Sequence, residues 1–310
     1  MGEIKKDRVR GVVVSIPTFC TEKYEVRYDR IAEHVNWLIE HGIKEGDGVI
    51  MAAGGLGEGY FLNDEEHKKI MKTLVEAADG RVPTMVGLFE LDGRAAVKKA
   101  KYAEDVGVDF LQVNPPHYTR PVDDEVYEYY RMINDAADVG IVVYNTPWCS
   151  MGFEIRAPLM AKLVKLENVA AVKWSSFDFG NFVTVLKKFA DEVNFIDNMG
   201  TVLGHMLGMK GFISHVANFN PEVELKLWEL LKKGKYLEYM KEYDRTHGWQ
   251  AEVSAAEDIT HMGLGEGTTS KGVLEAAGLD VGPPFPPQKR MPKEEVEKIR
   301  EIMRKSGIIK

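Results

Sequence analysis

Cysteine is scarce in this chain: Cys20 and Cys149 are the only two in 310 residues, too far apart in sequence to suggest a disulfide framework. That excludes a small stapled secreted fold and points to a reducing, cytoplasmic home. Long apolar runs are missing as well. No stretch approaches the roughly 18 residues of a membrane span, and the N-terminal MGEIKKDRVRG shows no signal-peptide core or cleavage site. Nor is there an excess of basic residues. With 40 Lys and Arg against 48 Asp and Glu the formal charge is −8, so neither nucleic acid nor a membrane surface is an expected partner. What remains, 45% hydrophobic and 28% charged without low-complexity segments, suits one large α/β domain or two ordinary ones serving a small molecule.

Eight short apolar runs recur along the first two thirds: GVVVSIPTF from 11, DGVIMAA from 47, VPTMVGL from 82, DFLQVNPP from 109, GIVVYNT from 140, VAAVKWSS from 169, VNFIDNM from 193 and GFISHVAN from 211. They are apolar throughout instead of alternating, as parallel strands buried on both faces are. Between them lie helical patterns such as YDRIAEHVNWLIEHG and GRAAVKKAKYAEDVG, several closed by a glycine. Eightfold alternation with short loops predicts a (β/α)8 TIM barrel over residues 1–219, with a doubly wound sheet as runner-up. From PEVELKLWELLKKG onward the strands stop, and residues 220–310 are expected to form a helical C-terminal extension packed on the barrel.

Barrel chemistry sits at the C-terminal ends of strands. Lys173 falls inside the sixth run, where a lysine is seldom buried without a reason. In an apolar interior its cation is disfavoured, and the neutral amine is the nucleophile that forms a Schiff base with a ketone. The plainer reading is a lysine whose stem packs inside while its head reaches solvent or a carboxylate. Tyr144 ends the preceding run, so a phenol able to shuttle protons faces the same place, unless it is a rim tyrosine with a partnered hydroxyl. His117, His205 and His215 come singly, without ligand spacing, so no metal is expected.

The pentapeptide GLGEG occurs twice, at 55–59 and 263–267. Neither copy fits a dinucleotide fingerprint, and neither carries the GK[ST] of a phosphate-binding loop, so no cofactor is expected. The second copy reads as a loop between two tail helices, with Thr268 or Thr269 capping KGVLEAAG. The repetition itself reads as coincidence.

Five segments, in order, resemble the dihydrodipicolinate synthase and N-acetylneuraminate lyase family of Schiff-base-forming lyases. IPTF at 16–19, GGLGEGYFLNDEEH at 54–67, PPHYTRP at 115–121, VVYNTP at 142–147 and VAAVKWSS at 169–176 resemble its strand-end motifs. The resemblance implies a (β/α)8 barrel with a helical tail, a homotetramer built as a dimer of dimers, and an imine between a lysine and a 2-oxo acid such as pyruvate. It makes Lys173 the imine lysine and Tyr144 the proton-relaying phenol. Tyr118 falls where the family keeps a second relay tyrosine that reaches a neighbouring subunit's site. The loop Gly54, Gly55, Leu56, Gly57 would hold the substrate carboxylate on its backbone N–H groups.

The chain departs from the family pattern in two places. Gly55 and Leu56 stand where most members carry Ser or Thr hydroxyls, so the relay lacks a hydroxyl. Cys149 stands where synthases that condense pyruvate with aspartate semialdehyde keep an arginine for the second carboxylate. The expected activity is therefore aldol cleavage or dehydration of a 2-keto-3-deoxy-acid-like substrate, with Trp148, Cys149, Trp174, Ser175, Ser176, Asn198 and His215 around its distal part. The alternative is a non-catalytic, ligand-binding or regulatory barrel derived from this family.

Overall fold

The structure is a computed structural model that describes residues 7–263 and 265–310. Strand β1 (Gly11–Ser15) leads to α1 (Tyr28–Glu40), β2 (Gly48–Ala52) to α2 (Asp64–Ala78), β3 (Thr84–Leu88) to α3 (Gly93–Val106) and β4 (Phe110–Val113) to α4 (Asp123–Ala136). The second half repeats the rhythm with β5 (Gly140–Asn145), α5 (Ala157–Leu163), β6 (Val169–Trp174), α6 (Phe179–Phe189), β7 (Asn194–Asp197), α7 (Val202–Met206) and β8 (Gly211–Ser214). Every strand runs parallel to the next, and β8 returns to β1 with Gly11 opposite Gly211, closing the barrel.

Side chains alternate across each strand, which sorts the chain into two cores. Val13, Val49, Met51, Met85, Phe110, Val142, Ala171 and Ile196 fill the barrel. Their sequence neighbours Val12, Val14, Ile50, Leu111, Val143 and Val172 face outward into the larger layer beneath the helices. Each helix buries one apolar stripe there, such as Ile31, Val35 and Leu38 of α1 or Ile70, Met71 and Leu74 of α2. Burial of each such side chain is worth about 1.5–3 kcal/mol. Helix starts are fixed locally: Asn63 and Glu66 form a capping box on α2, and Asp92 caps α3.

The same alternation positions the site. Two residues beyond Val142 is Tyr144, and two beyond Ala171 is Lys173, so both point inward at the barrel's C-terminal end. They are direct register partners across β5 and β6.

After β8 come α8 (Pro221–Lys232), α9 (Tyr236–Ala255), α10 (Glu266–Ala276) and α11 (Lys293–Ser306). Trp249, Val253, Met291, Ile299 and Met303 from this region pack with Val216 just beyond β8. Helix α10 is tied to the barrel by Lys271, whose Nζ lies 2.7 Å from Glu58 Oε2 in the loop after β2. One expectation is corrected here. Thr268 and Thr269 do not cap the helix; they lie in the first turn of α10, whose N-cap is Gly265. The helix begins earlier because Glu266 takes its first position, where a carboxylate complements the exposed N–H groups and the helix dipole.

Candidate active site

Lys173 opens into a cavity of about 400 Å³ at the C-terminal ends of the strands. Its side chain is almost fully buried, and Nζ sits 4.1 Å from the centre of the Tyr144 ring. No carboxylate lies within 4.0 Å of it among the described residues. Burial therefore dominates and brings its pKa down to about 8, against a partial lift from Glu266 and Cys149. At pH 7 about a tenth of such a lysine is free amine.

Two of its neighbours, Tyr144 and His215, are neutral. Burial pushes the Tyr144 phenol up, so it stays protonated and can donate. Burial, with Lys173 nearby, lowers His215 to about 4, leaving a neutral imidazole. Cys149 sits at the cavity wall, with Asn114 Nδ2 at 3.4 Å and Thr146 Oγ1 at 3.2 Å from its sulfur. Ser175 Oγ accepts from Asn198 Nδ2 at 3.0 Å and Trp148 Nε1 at 3.2 Å, which holds the half-exposed Trp148 ring as a lip over the mouth.

Gly55 and Leu56 line the cavity floor. The loop turns back on itself through Glu58 N–H to Gly55 O (2.9 Å) and Gly59 N–H to Gly54 O (3.1 Å). Gly54 and Gly57 are buried but frame the turn without lining the cavity: a Cβ at 54 would meet Met51, and one at 57 would meet the Ala53 backbone.

The two GLGEG loops, whose repetition reads as coincidence in the sequence, lie against each other. A Cβ on Gly55 would lie 1.8 Å from Glu266 Oε2, and one on Gly267 would lie 2.3 Å from Glu58 Oε1. Each glutamate fills the room left by a glycine of the other loop. Glu58, fully buried, accepts from Phe285 N–H at 2.7 Å and pairs with Lys271. Glu266 enters the cavity with Lys173, and burial raises its carboxyl pKa against the opposing pull of that lysine.

Other expected site residues lie elsewhere. Trp174 is on the outer face of β6, fully buried against Phe182 and Phe195, because it follows Lys173 by one residue and so points the opposite way. Ser176 is turned aside to Glu154 Oε2 at 2.7 Å. Tyr118 is 80% exposed and does not reach this chain's cavity. A further cleft of about 470 Å³ opens at the opposite end among Arg10, Lys210 and Lys232, away from Lys173.

Sequence reasoning missed Ser15, Tyr60, Phe89, Asn114, Glu266 and Gln288 as lining residues. Ser15 and Asn114 could have been found, since each lies at or just beyond a strand's C-terminal end on the inward face. Tyr60, with Gln288 Nε2 at 3.2 Å from its hydroxyl, depends on how the tail folds back.

A sequence profile of the Dihydrodipicolinate synthetase family matches residues 9–305. The chain is 27% identical over 309 residues to 4-hydroxy-tetrahydrodipicolinate synthase of Methanosphaera stadtmanae, covering 97% of this chain and 99% of that one. It is 33% identical over 220 residues to the enzyme of the same name from Acetivibrio thermocellus, covering 71% and 73%. Its fold matches the crystal structure of dihydrodipicolinate synthase from Aquifex aeolicus with a TM-score of 0.85 at 24% identity, over 96% of this chain and 98% of that one. A profile match spanning almost the entire barrel and tail, on a fold of the same shape, places the chain in the dihydrodipicolinate synthetase family, a family of class I lyases of the aldolase type.

Proposed function

We propose that the protein is a lyase acting on a 2-oxo acid through a Schiff base at Lys173. The observation that carries this reading is the buried amine itself, with its pKa brought down to about 8 and its Nζ 4.1 Å from the Tyr144 ring centre in a substrate-sized cavity. Neutral Lys173 attacks the ketone while the substrate carboxylate rests on the amides of Gly55 and Leu56. Tyr144 hands protons to and from the tetrahedral intermediate. The resulting iminium is an electron sink for breaking a C–C bond or expelling a β-substituent.

The distal wall narrows the substrate. Cys149 supplies no cation for a second carboxylate, and Trp148, Tyr60 and Phe89 give the mouth an aromatic lining. Condensation of pyruvate with aspartate semialdehyde is therefore not the reaction proposed. Aldol cleavage or dehydration of a 2-keto-3-deoxy-acid-like substrate with a neutral tail fits better, with Ser175 and His215 near that tail. The exposed Tyr118 fits a homotetramer, a dimer of dimers in which it enters a neighbour's site. No helix among the described residues is long and apolar enough to cross a membrane, and a cytoplasmic location accords with that.

The test is intact-protein mass spectrometry after incubation with pyruvate and borohydride, followed by peptide mapping. One reduced pyruvate on the peptide containing Lys173, absent in Lys173→Ala, is the expected result. No adduct with pyruvate or with a panel of longer 2-oxo acids would leave a non-catalytic binding barrel as the better reading.

A further inference from the structure

Glu266 comes from outside the barrel, yet it lines the Lys173 cavity. Three features hold it there. It opens α10, whose direction is set by the buried Lys271–Glu58 pair one turn further on. Its Oε2 occupies the volume that any side chain at residue 55 would need. Gly265, just before it, packs against Gln288, as Gly267 just after it does, and Thr268 N–H donates to Gln288 Oε1 at 3.0 Å. Gly55 thus has two consequences at once: it removes a hydroxyl that a Ser or Thr would supply, and it admits a carboxylate in the same place.

We propose that Glu266 is a catalytic residue of the Schiff-base reaction, the acid–base group that moves protons between Lys173 and the carbinolamine oxygen. This deepens the proposed function and rests on Lys173 being the imine lysine. Glu266 carboxylate, more than 4.0 Å from Nζ, takes one proton from the Lys173 ammonium through one bridging water, which frees the amine. The amine's lone pair forms the C–N bond to the ketone carbon, and the proton left on nitrogen passes to the oxygen through the Tyr144 phenol. The Glu266 carboxyl then returns its proton to that hydroxyl. The C–O bond breaks, water leaves, and an iminium remains beside a carboxylate. The net change is ammonium plus ketone to iminium plus water, with Glu266 restored.

The pair must hold a single proton to begin this sequence. Around it, Tyr144 and Tyr60 are phenols held protonated by burial, the latter pushed up to about 12. His215 is neutral, with its pKa lowered to about 4, and burial lowers His117 as well. Cys149 also acts on Lys173 through space. With Lys173 at about 8, the one-proton state empties above that pH. The rate of imine formation at sub-saturating pyruvate should therefore fall on the alkaline side in the wild type.

Imine formation is followed by rapid mixing with pyruvate, timed borohydride quench and mass spectrometry, between pH 6 and 10. Glu266→Gln, which preserves shape, should slow it about 100-fold or more near neutrality and convert the alkaline fall into a rise, since only the free amine is then required. Gly55→Ala, which keeps the carboxylate but displaces it, should also lose rate. Glu266→Gln within a factor of about three of wild type, with the same pH profile, overturns the role of Glu266 while leaving Lys173 intact. A wild type that forms no adduct at all overturns the Lys173 reading and this proposal together.

Discussion

The ion pair between Glu58 and Lys271 should be among the costliest contacts in the molecule to break singly. Glu58 is 0% exposed and Lys271 2%, with 2.7 Å between Oε2 and Nζ. Removing one partner of such a pair strands a buried charge, at a cost of about 3–5 kcal/mol. The structure ranks the two halves. In Glu58→Gln the stranded ammonium keeps the Pro283 carbonyl at 2.8 Å and the Phe285 ring at 4.9 Å, so the cost should lie near the lower bound. In Lys271→Met the stranded carboxylate keeps the Phe285 N–H at 2.7 Å, and the cost should lie near the upper bound. The double variant removes both charges and should be more stable than either single one, with a coupling of at least about 2 kcal/mol. Urea denaturation of all four proteins, followed by tryptophan fluorescence, measures this cycle. Single variants each costing under about 1 kcal/mol, and adding without coupling, would refute the claim that the pair is sealed from water.

Two further outcomes follow from the same physics. Burial lowers His34, His67, His205 and His215 each to about 4. Between pH 6.5 and 4 the unfolded chain then binds more protons than the folded one, so stability falls as the solution is acidified through that window, by up to about 3 kcal/mol per histidine. Two buried carboxyls oppose this, Asp197, held up to about 6 by burial, and Glu266, which burial also raises. Thermal melts at pH 7.5 and 5 should differ clearly, and identical melting temperatures would contradict the assignment of neutral buried imidazoles. Tyr118→Phe, at a site 80% exposed, should leave folding and assembly unchanged but slow imine formation about 100-fold if the phenol serves a neighbour's cavity. An unchanged rate would remove Tyr118 from the relay.

The barrel was legible because its signals are local. Runs such as GVVVS and GVIMA become strands buried on both faces, and the alternation that sends Ala171 inward carries Lys173 with it. The same rule, applied one residue further, would have turned Trp174 outward. It was missed because an aromatic beside the lysine suggested a pocket when the strand's period of two forbids it. Thr268 and Thr269 attracted a capping role through residue type alone. The start of α10 is instead set by Glu266 against the barrel, a contact separated from Gly55 by about 200 residues, which no local pattern encodes.

The two identical pentapeptides are not two copies of one structural unit. In the first, Glu58 adopts a left-handed backbone (φ 52°) at the end of a tight turn; in the second, Glu266 begins a right-handed helix. What they share is a glutamate with glycines close by, and that is enough for each to notch the other. Gly55 yields to Glu266 and Gly267 yields to Glu58, so the loops interlock in a crossed fashion. The two glutamates then meet opposite fates. Glu58 finds a lysine at 2.7 Å and is sequestered as a structural anion. Among the described residues Glu266 has no cation that close; it faces the Lys173 cavity and has its pKa raised by burial. A carboxyl group held in that condition beside a lysine of lowered pKa is equipped to exchange protons with it, and the glutamate that is locked away is the one that keeps the other in place.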